Sequence, residues 1–162
     1  MADQKLDPIN TRILEALQGN GRITNQALAD LVGLSPSACL MRVRKLEADG
    51  VISRYRAEVD IDRLDRVVEA FIEVNLANHE RGELTRFEEA MVAEPHVVAC
   101  HRVSGQYDYL LQVIARDMQQ LRQIADGLLS SGWGVAKIAT TPILAKIKPF
   151  AGYPLARVLH GT

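Results

Sequence analysis

The stretch TNQALADLVGLSPSACLMRVRKLEADGVI, residues 24–52, decides how the first third of this chain folds. Thr24 can accept a hydrogen bond from a backbone N–H of a first helical turn, and Gly33 suits the left-handed residue that ends a helix. Between them, the apolar side chains at helical spacing are Ala27, Leu28 and Leu31. Ser35 and Pro36 favour the start of a second helix, because serine caps it and proline needs no hydrogen-bond partner at the first position. Two short helices joined by so tight a turn predict a helix-turn-helix.

The second of these helices has two faces of different chemistry. At 3.6 residues per turn, the inward face is expected to carry Cys39, Leu40, Val43 and Leu46. The outward face is small near the helix start, where it can approach the major groove of DNA, and cationic later, where it can reach phosphates or guanine. With the cap and the following connector included, the residues predicted to contact duplex DNA are Ser35, Ser37, Ala38, Met41, Arg42, Arg44, Lys45 and Arg54. An ordinary solvated surface is the alternative, because Glu47 and Asp49 lie in the same segment.

Composition and charge restrict the class of protein. Hydrophobic residues make up 48% of the 162 residues and charged residues 24%, which is typical of a globular chain. The formal net charge is -1, so any affinity for DNA must come from a local patch. No apolar run has the length of a signal peptide or a membrane span, so we expect a cytoplasmic protein without a membrane partner.

The cysteines suggest no metal or disulfide chemistry. Cys39 and Cys100 are too few for a disulfide framework and too isolated for a zinc site. We interpret both as buried small hydrophobes, with a redox sensor as the alternative.

A further helix is expected before the helix-turn-helix. Asp7 and Pro8 are typical of a helix cap and a first helical position. Apolar residues follow at helical spacing as Ile9, Ile13, Leu14 and Leu17. The three helices together predict an N-terminal DNA-binding domain over residues 1–53, followed by a polar linker over residues 54–66.

From residue 67 the period of the apolar residues changes. A period of two, typical of a half-buried strand, is formed by Val68, Ala70, Ile72, Val74 and Leu76. Two helical stripes come later, one with Leu84, Phe87, Met91 and Val92, the other with Met118, Leu121, Ala125, Leu128 and Leu129. The order strand, helix, strand, strand, helix, strand predicts an α+β chain whose second domain is ferredoxin-like βαββαβ, over residues 67–149. Residues 150–162 are interpreted as a C-terminal tail.

One face of this predicted sheet has no helix to cover it. Candidates for its apolar residues are Phe71, Tyr107, Tyr109 and Leu111. A second copy of the same sheet is the simplest partner, which predicts a homodimer. A two-fold dimer would present two helices to DNA half-sites about 34 to 36 Å apart.

Two stretches resemble a known family. They are LDPINTRILEALQGNGRITNQALADLVGLSPSACLMRVRKLEADGVI, residues 6–52, and VSGQYDYLLQV, residues 103–113. Both are similar to the Lrp/AsnC family, the leucine-responsive and asparagine-responsive transcription regulators of bacteria and archaea, and the similarity extends over nearly all of the chain. The resemblance implies a helix-turn-helix domain followed by an amino-acid-sensing domain, and dimers that assemble further, often to octamers. It implies no cofactor, only a small amino acid as effector.

The effector of this family usually binds between dimers, near a loop of the form Gly-x-x-Asp-Tyr, which here is residues 105–109. Asp108 can accept from the ammonium of an amino acid, and exposed backbone N–H groups can donate to its carboxylate. With the positions that align with the family's pocket, the residues implied for effector binding are Ser104, Gly105, Gln106, Tyr107, Asp108, Met118, Thr140, Thr141 and Pro142. A plain hairpin turn, in which Asp108 binds local N–H groups, is the alternative.

This chain departs from the family pattern in both regions. Proline is frequent where Ala38 stands, and an acidic or polar residue is frequent where Met41 stands. Larger apolar or aromatic residues are frequent at the positions of Thr141 and Pro142. The DNA sequence and the effector that this protein recognises are therefore left open.

Two other functions are considered. One is an effector-independent DNA-binding assembly protein, and the other is a tetrapyrrole decarboxylase of the sirohaem type, since some such enzymes share this fold. Such an enzyme needs a basic or histidine-bearing cavity. The histidines of this chain are scattered, at His79, His96, His101 and His160. We therefore predict that the protein is not an enzyme.

Overall fold

The computed structural model describes residues 6–161, apart from the side chain of Asp62. The chain divides into two compact units. One consists of the residues up to Glu58 together with those from Lys148 onward, and the other is Val59–Ile147. No helix among the described residues is long and apolar enough to cross a membrane.

The first unit contains the three helices expected from the sequence, which are α1 (Pro8–Gly19), α2 (Asn25–Val32) and α3 (Pro36–Ala48). Each begins with a side chain that accepts a hydrogen bond from a backbone N–H of the first turn. The donor and acceptor pairs are Asn10 with Asp7 at 2.7 Å, Ala27 with Thr24 at 3.2 Å, and Ala38 with Ser35 at 3.3 Å. Gly33 ends α2 in the left-handed conformation, with φ 76°. The predicted helix-turn-helix is confirmed.

The core of this unit differs from the prediction in detail. Its buried residues are Ile13, Leu14, Leu28, Ala29, Val32, Cys39 and Leu46. Ala27 and Leu31, predicted to pack inward, are exposed, because the buried stripe of α2 is rotated by one residue. Leu40 is also 38% exposed, since it lies at the flank of α3. A two-turn helix carries two possible apolar stripes, and its packing on the neighbouring helices decides between them.

The C-terminal tail interpreted from the sequence contains a helix in its described part, residues 150–161. The segment forms α6 (Leu155–His160), which belongs to the same unit as α1. Leu155 packs against the core of the helix-turn-helix domain. The polar contacts with α1 are Ala156 N–H to Glu15 Oε1 at 2.9 Å, His160 Nε2 with Thr11 Oγ1 at 3.0 Å, and Gln18 with the Tyr153 main chain at 2.7 and 3.1 Å.

The second unit is an antiparallel sheet with helices between its strands. Its elements are β1 (Val68–Leu76), α4 (Arg81–Ala93), β2 (Val97–Arg102), β3 (Tyr109–Ala115), α5 (Met118–Ser130) and β4 (Val135–Pro142). The strand order is β2-β3-β1-β4. The predicted α+β chain with a ferredoxin-like βαββαβ domain is confirmed. The predicted linker, residues 54–66, contains a 3₁₀ helix, Ile61–Arg63, which belongs to the second unit.

One face of the sheet packs against both helices. The predicted alternation in β1 is confirmed, because Ala70, Ile72, Val74 and Leu76 are all buried. The helices contribute Phe87, Met91, Leu121, Ala125 and Leu128 to the same core. Three residues predicted to point inward are exposed, which are Val92 at 89%, Met118 at 57% and Leu129 at 46%. They lie at the edges of the helical stripes.

The other face of the sheet is left open by these helices. Tyr109 and Leu111, predicted to lie on it, are fully buried in the core instead. Leu111 pairs with Ile72 of the buried face, and paired residues share a face. The residues of β3 that alternate with Tyr109 and Leu111 therefore lie on the open face. Apolar residues on the open face are Phe71, Leu110 and Ile114. Tyr107 is half-buried in the loop before β3.

The two cysteines lie in different environments. Cys39 is buried in the first unit, as predicted, but Cys100 is exposed on β2, so that prediction is wrong. Partial burial, followed by the charge of Glu88, raises the pKa of the Cys100 thiol. A raised pKa is the opposite of what an activated thiolate requires.

Candidate DNA-binding surface and effector site

The exposed face of α3 follows from the way this helix packs. Cys39 and Leu46 are buried on its inner side. Met41 lies on the opposite side of the helix and is 73% exposed. Of the other α3 residues predicted to contact DNA, Ala38 and Arg42 are half-buried, and the exposed ones are Ser37, Arg44 and Lys45.

Arg42 is held by α1 instead of lying free on this face. Its Nη1 donates to Asp7 Oδ2 at 2.5 Å and to Asn10 Oδ1 at 3.0 Å. This guanidinium forms part of the wall of a cavity of about 400 Å³ between the start of α1 and the end of α3. The structure therefore gives Arg42 a role in joining two helices, which its position in the sequence did not indicate.

The Asp7–Arg42 ion pair makes stability depend on pH. The Arg42 guanidinium, and next the Asn10 N–H, hold the pKa of Asp7 below its ordinary value of 3.8. A lowered pKa in the folded state gives stability above the unfolded pKa that is lost as pH falls through the folded one. We expect wild type to exceed Asp7→Asn in unfolding free energy by up to about 1 kcal/mol near neutral pH, since the pair is partly exposed. Below about pH 4 this difference should shrink, which urea denaturation across a pH series measures.

A double-mutant cycle tests the assignment to this pair. In the Asp7→Asn background, Arg42→Ala should add no further pH-dependent loss of stability. A difference between wild type and Asp7→Asn that stays constant on acidification would contradict the ion pair's contribution.

The turn before α3 is held by polar groups. Ser35 Oγ accepts from Ala38 N–H and lies 3.2 Å from Ser37 Oγ. Asn25, which the sequence analysis missed, donates from Nδ2 to the carbonyl of Pro36 at 2.8 Å. Arg54 lies exposed in the extended connector that follows α3. The start of α3 is thus fixed to the start of α2.

The loop between β2 and β3 is fastened to β1 by Asp108. Asp108 Oδ2 accepts from the backbone N–H of Leu76 at 2.8 Å, and Oδ1 lies 2.8 Å from His79 Nε2. Burial raises the pKa of Asp108, but the Leu76 N–H and His79 outweigh it and hold the pKa below its ordinary value. Each carboxylate oxygen can accept a second hydrogen bond, so a ligand ammonium could share this group.

The remaining loop residues are exposed. Ser104, Gly105 and Gln106 face solvent, and Gly105 has φ 139°, which favours glycine. Asn75 Nδ2 donates to the carbonyl of Gln106 at 2.8 Å. His79 and Asn75 were missed in the sequence because they lie about 30 residues from the loop that they hold. The loop thus presents exposed main chain beside a fixed carboxylate.

The other predicted effector residues lie away from this loop, on β4 and at the start of α5. Tyr109, next to the loop, pairs with Val74, whereas Pro142 pairs with Ala70. Four residues of a strand correspond to about 13 Å. Met118 is farther still, because it follows the end of β3 that pairs with Val68.

Thr140 and Thr141 also face in opposite directions. Thr140 pairs with Ile72 on the helix-covered face, and Thr141 pairs with Phe71 on the open face. The predicted effector residues therefore do not converge on one pocket within a single chain. Alternate residues of a strand point to opposite faces, so the contiguous run 140–142 does not form one surface.

Two family models match the chain. The Lrp/AsnC ligand binding domain matches residues 69–152, and a winged helix-turn-helix DNA-binding model matches residues 6–53. Among similar proteins, the Leucine-responsive regulatory protein of Haemophilus influenzae is 36% identical over 146 residues, covering 90% of this chain and 88% of its own length. The Bkd operon transcriptional regulator of Pseudomonas aeruginosa is 35% identical over 151 residues, covering 93% of this chain and 99% of its own.

Solved structures are similar over the same extent. A transcriptional regulator from Neisseria meningitidis, solved as an L-Met complex, has a TM-score of 0.87 and 34% identity, covering 95% of this chain and 99% of its own. An AsnC family transcriptional regulator from Agrobacterium tumefaciens has a TM-score of 0.87 and 30% identity, covering 95% of this chain and 100% of its own. The similarity thus includes both the helix-turn-helix and the sheet domain.

Proposed function

The chain belongs to the Lrp/AsnC family of DNA-binding transcriptional regulators, and from this premise we propose that α3 binds operator DNA and that an amino acid in the second domain modulates the binding. The observation that carries the DNA-binding proposal is the exposed outer face of α3. That face combines small and apolar side chains at its start with cations near its end.

The proposed roles of the α3 residues follow from their placement. In a helix-turn-helix, residues near the start of the second helix reach base edges, whereas cations neutralise phosphates. Ser37, Ala38 and Met41 are therefore proposed to meet base edges. Arg44 and Lys45 are proposed to bind DNA phosphates, and Arg54 is proposed to contact the DNA backbone nearby. Ser35 and Arg42 are proposed to support α3 through their contacts with Ala38 and Asp7.

A selection experiment tests DNA binding directly. Random duplexes are incubated with the full-length protein, and retained sequences are amplified and then measured by gel shift. We expect a common two-fold site whose retention weakens steeply with salt. Failure to enrich any sequence would overturn the proposal.

The effector site is proposed to be shared between chains. The loop at residues 104–108 and the residues Met118 and Pro142 lie at different ends of one sheet, so a ligand can touch both sets only where two copies meet. The loop offers the Asp108 carboxylate to an ammonium and exposed main chain to a carboxylate. The proposed ligand is therefore a free α-amino acid.

Leucine and methionine are the first effectors to test. One similar protein is named as leucine-responsive, and a similar structure is an L-Met complex. A thermal-shift screen of the full-length protein against the twenty amino acids measures binding, because a ligand of the folded state raises the midpoint. A midpoint that no amino acid moves would overturn the effector proposal while leaving DNA binding intact.

The open face of the sheet is proposed to be the dimer interface. Phe71 is 38% exposed there, beside Leu110 and Ile114 on the neighbouring strand. A second sheet of the same kind would remove this apolar surface from water and place two helix-turn-helix domains in one particle. We also propose that dimers assemble into octamers, and that the shared effector site lies where two dimers meet.

The variant Phe71→Glu tests this interface. It would place a carboxylate in the apolar patch close to Glu69 and Glu73, where dimerisation would bury it without a partner. We expect the dimer dissociation constant to rise at least about a hundredfold, as measured by light scattering on a dilution series. The matched control is Val92→Glu, which adds the same charge to an exposed position on α4. Dimerisation of Phe71→Glu as tight as that of the control would place the interface elsewhere.

No observation favours the tetrapyrrole decarboxylase. His79, His96 and His160 are each engaged by a different group, which are Asp108, Glu94 and Thr11. The similar proteins are named as transcriptional regulators. We therefore propose a regulator without enzymatic activity that acts in the cytoplasm, where its DNA lies.

A further inference from the structure

The first half of α3 presents an apolar group to the surface that meets DNA. Met41 lies opposite the buried residues Cys39 and Leu46, so it occupies the centre of the exposed face. Its 73% exposure leaves the thioether side chain available to a partner. Ser37 and Ala38 lie on either side of Met41, one turn earlier. The centre of the surface proposed to face base edges is thus a flexible hydrophobe.

The cationic side chains of α3 that could recognise a base are either bound to other groups or lie later in the helix. Arg42, the first cation of α3, is held by Asp7 and Asn10 through Nη1. Arg44 and Lys45 come later, in the second half of the helix. Bidentate recognition of guanine requires an arginine or lysine at the base edge. The cation one turn after Ala38 is Arg42, and its guanidinium is already bound to α1.

The chemistry of the major groove offers one apolar feature. Thymine carries a 5-methyl group there, and small or apolar side chains contact it. Methionine is unbranched and polarisable, so it adapts to such a group without exact placement. We propose that Met41 determines operator specificity by contacting a thymine 5-methyl group in each half-site. This inference rests on the proposed binding of DNA through α3.

Deoxyuridine provides the test, because it lacks the methyl group and keeps every hydrogen-bonding atom of thymine. Each thymine of a selected duplex is replaced singly by deoxyuridine, together with its symmetry-related position. We expect the affinity of the wild-type protein to fall roughly threefold to tenfold at one such pair of positions. The variant Met41→Ala should bind the thymine and uracil duplexes equally well, because its single methyl group is too short to reach the position that the longer thioether side chain contacts.

The control variant is Val158→Ala, which shortens an exposed apolar side chain of α6 and should keep the full sensitivity to uracil. The inference is overturned if no uracil substitution weakens the wild-type protein, or if Met41→Ala keeps the same sensitivity. Both results leave a duplex that still binds, so they differ from a failed selection, which overturns the DNA-binding proposal itself.

Discussion

Replacing Arg44 and Lys45 together by alanine should lower the affinity for a selected duplex at least about a hundredfold near physiological salt. Both side chains are exposed on the outer face of α3, and a dimer presents each of them twice. Each phosphate contact contributes about one unit to the slope of log affinity against log salt. The slope should therefore fall by about four when the double variant is measured by gel shift across a salt series.

A change of charge elsewhere separates a local contact from a global effect. The variant Arg116→Ala with Arg122→Ala removes the same charge from two exposed positions, one just before α5 and one within it. We expect it to keep nearly the full slope, because exposed charges away from DNA are screened by salt. Equal slopes for the two double variants would contradict the assignment of Arg44 and Lys45 to phosphates.

Arg42 provides a further distinction on the same helix. Its guanidinium is bound to Asp7 and Asn10, so Arg42→Ala should weaken DNA binding mainly by loosening α3. The salt slope should then change less than in the Arg44 and Lys45 variant. A loss of slope in Arg42→Ala equal to that of a phosphate ligand would instead make it a direct contact.

Asp108→Asn should reduce the affinity for the amino-acid effector about 10-fold to 100-fold. The substitution keeps an oxygen that can accept from the Leu76 N–H, so the loop is expected to keep its place. It removes the negative charge that an ammonium requires, and hydrogen bonds to charged groups are the strong ones. The measurement is titration calorimetry with the amino acid found in the thermal-shift screen.

Two other variants distinguish ligand binding from loop stability. Asp108→Ala also leaves the part-buried Leu76 N–H without its acceptor, which should cost about 1 to 3 kcal/mol of unfolding free energy. His79→Ala removes only the exposed partner of the carboxylate and should keep the effector response. If Asp108→Asn binds the effector as tightly as wild type, Asp108 serves only to fasten the loop.

The elements of this protein could be predicted because their signals are local. Thr24, Ser35 and Asp7 each accept from an N–H three residues away, and Gly33 ends its helix by its own backbone conformation. The alternation of β1 likewise needs only the period of a strand. Such patterns determined the helix-turn-helix and the βαββαβ order.

Only the tertiary structure decided how these elements use their side chains. It paired Arg42 with Asp7, which is 35 residues away, and Asp108 with Leu76, which is 32 residues away. It also packed α6 on α1 and sent Thr140 and Thr141 to opposite faces of the sheet. Helix caps and periodicities depend on a few neighbouring residues, whereas these contacts depend on how whole helices and strands pack against one another. That is why the sequence by itself determined the two domains, while the partners of the site residues emerged only from the folded chain.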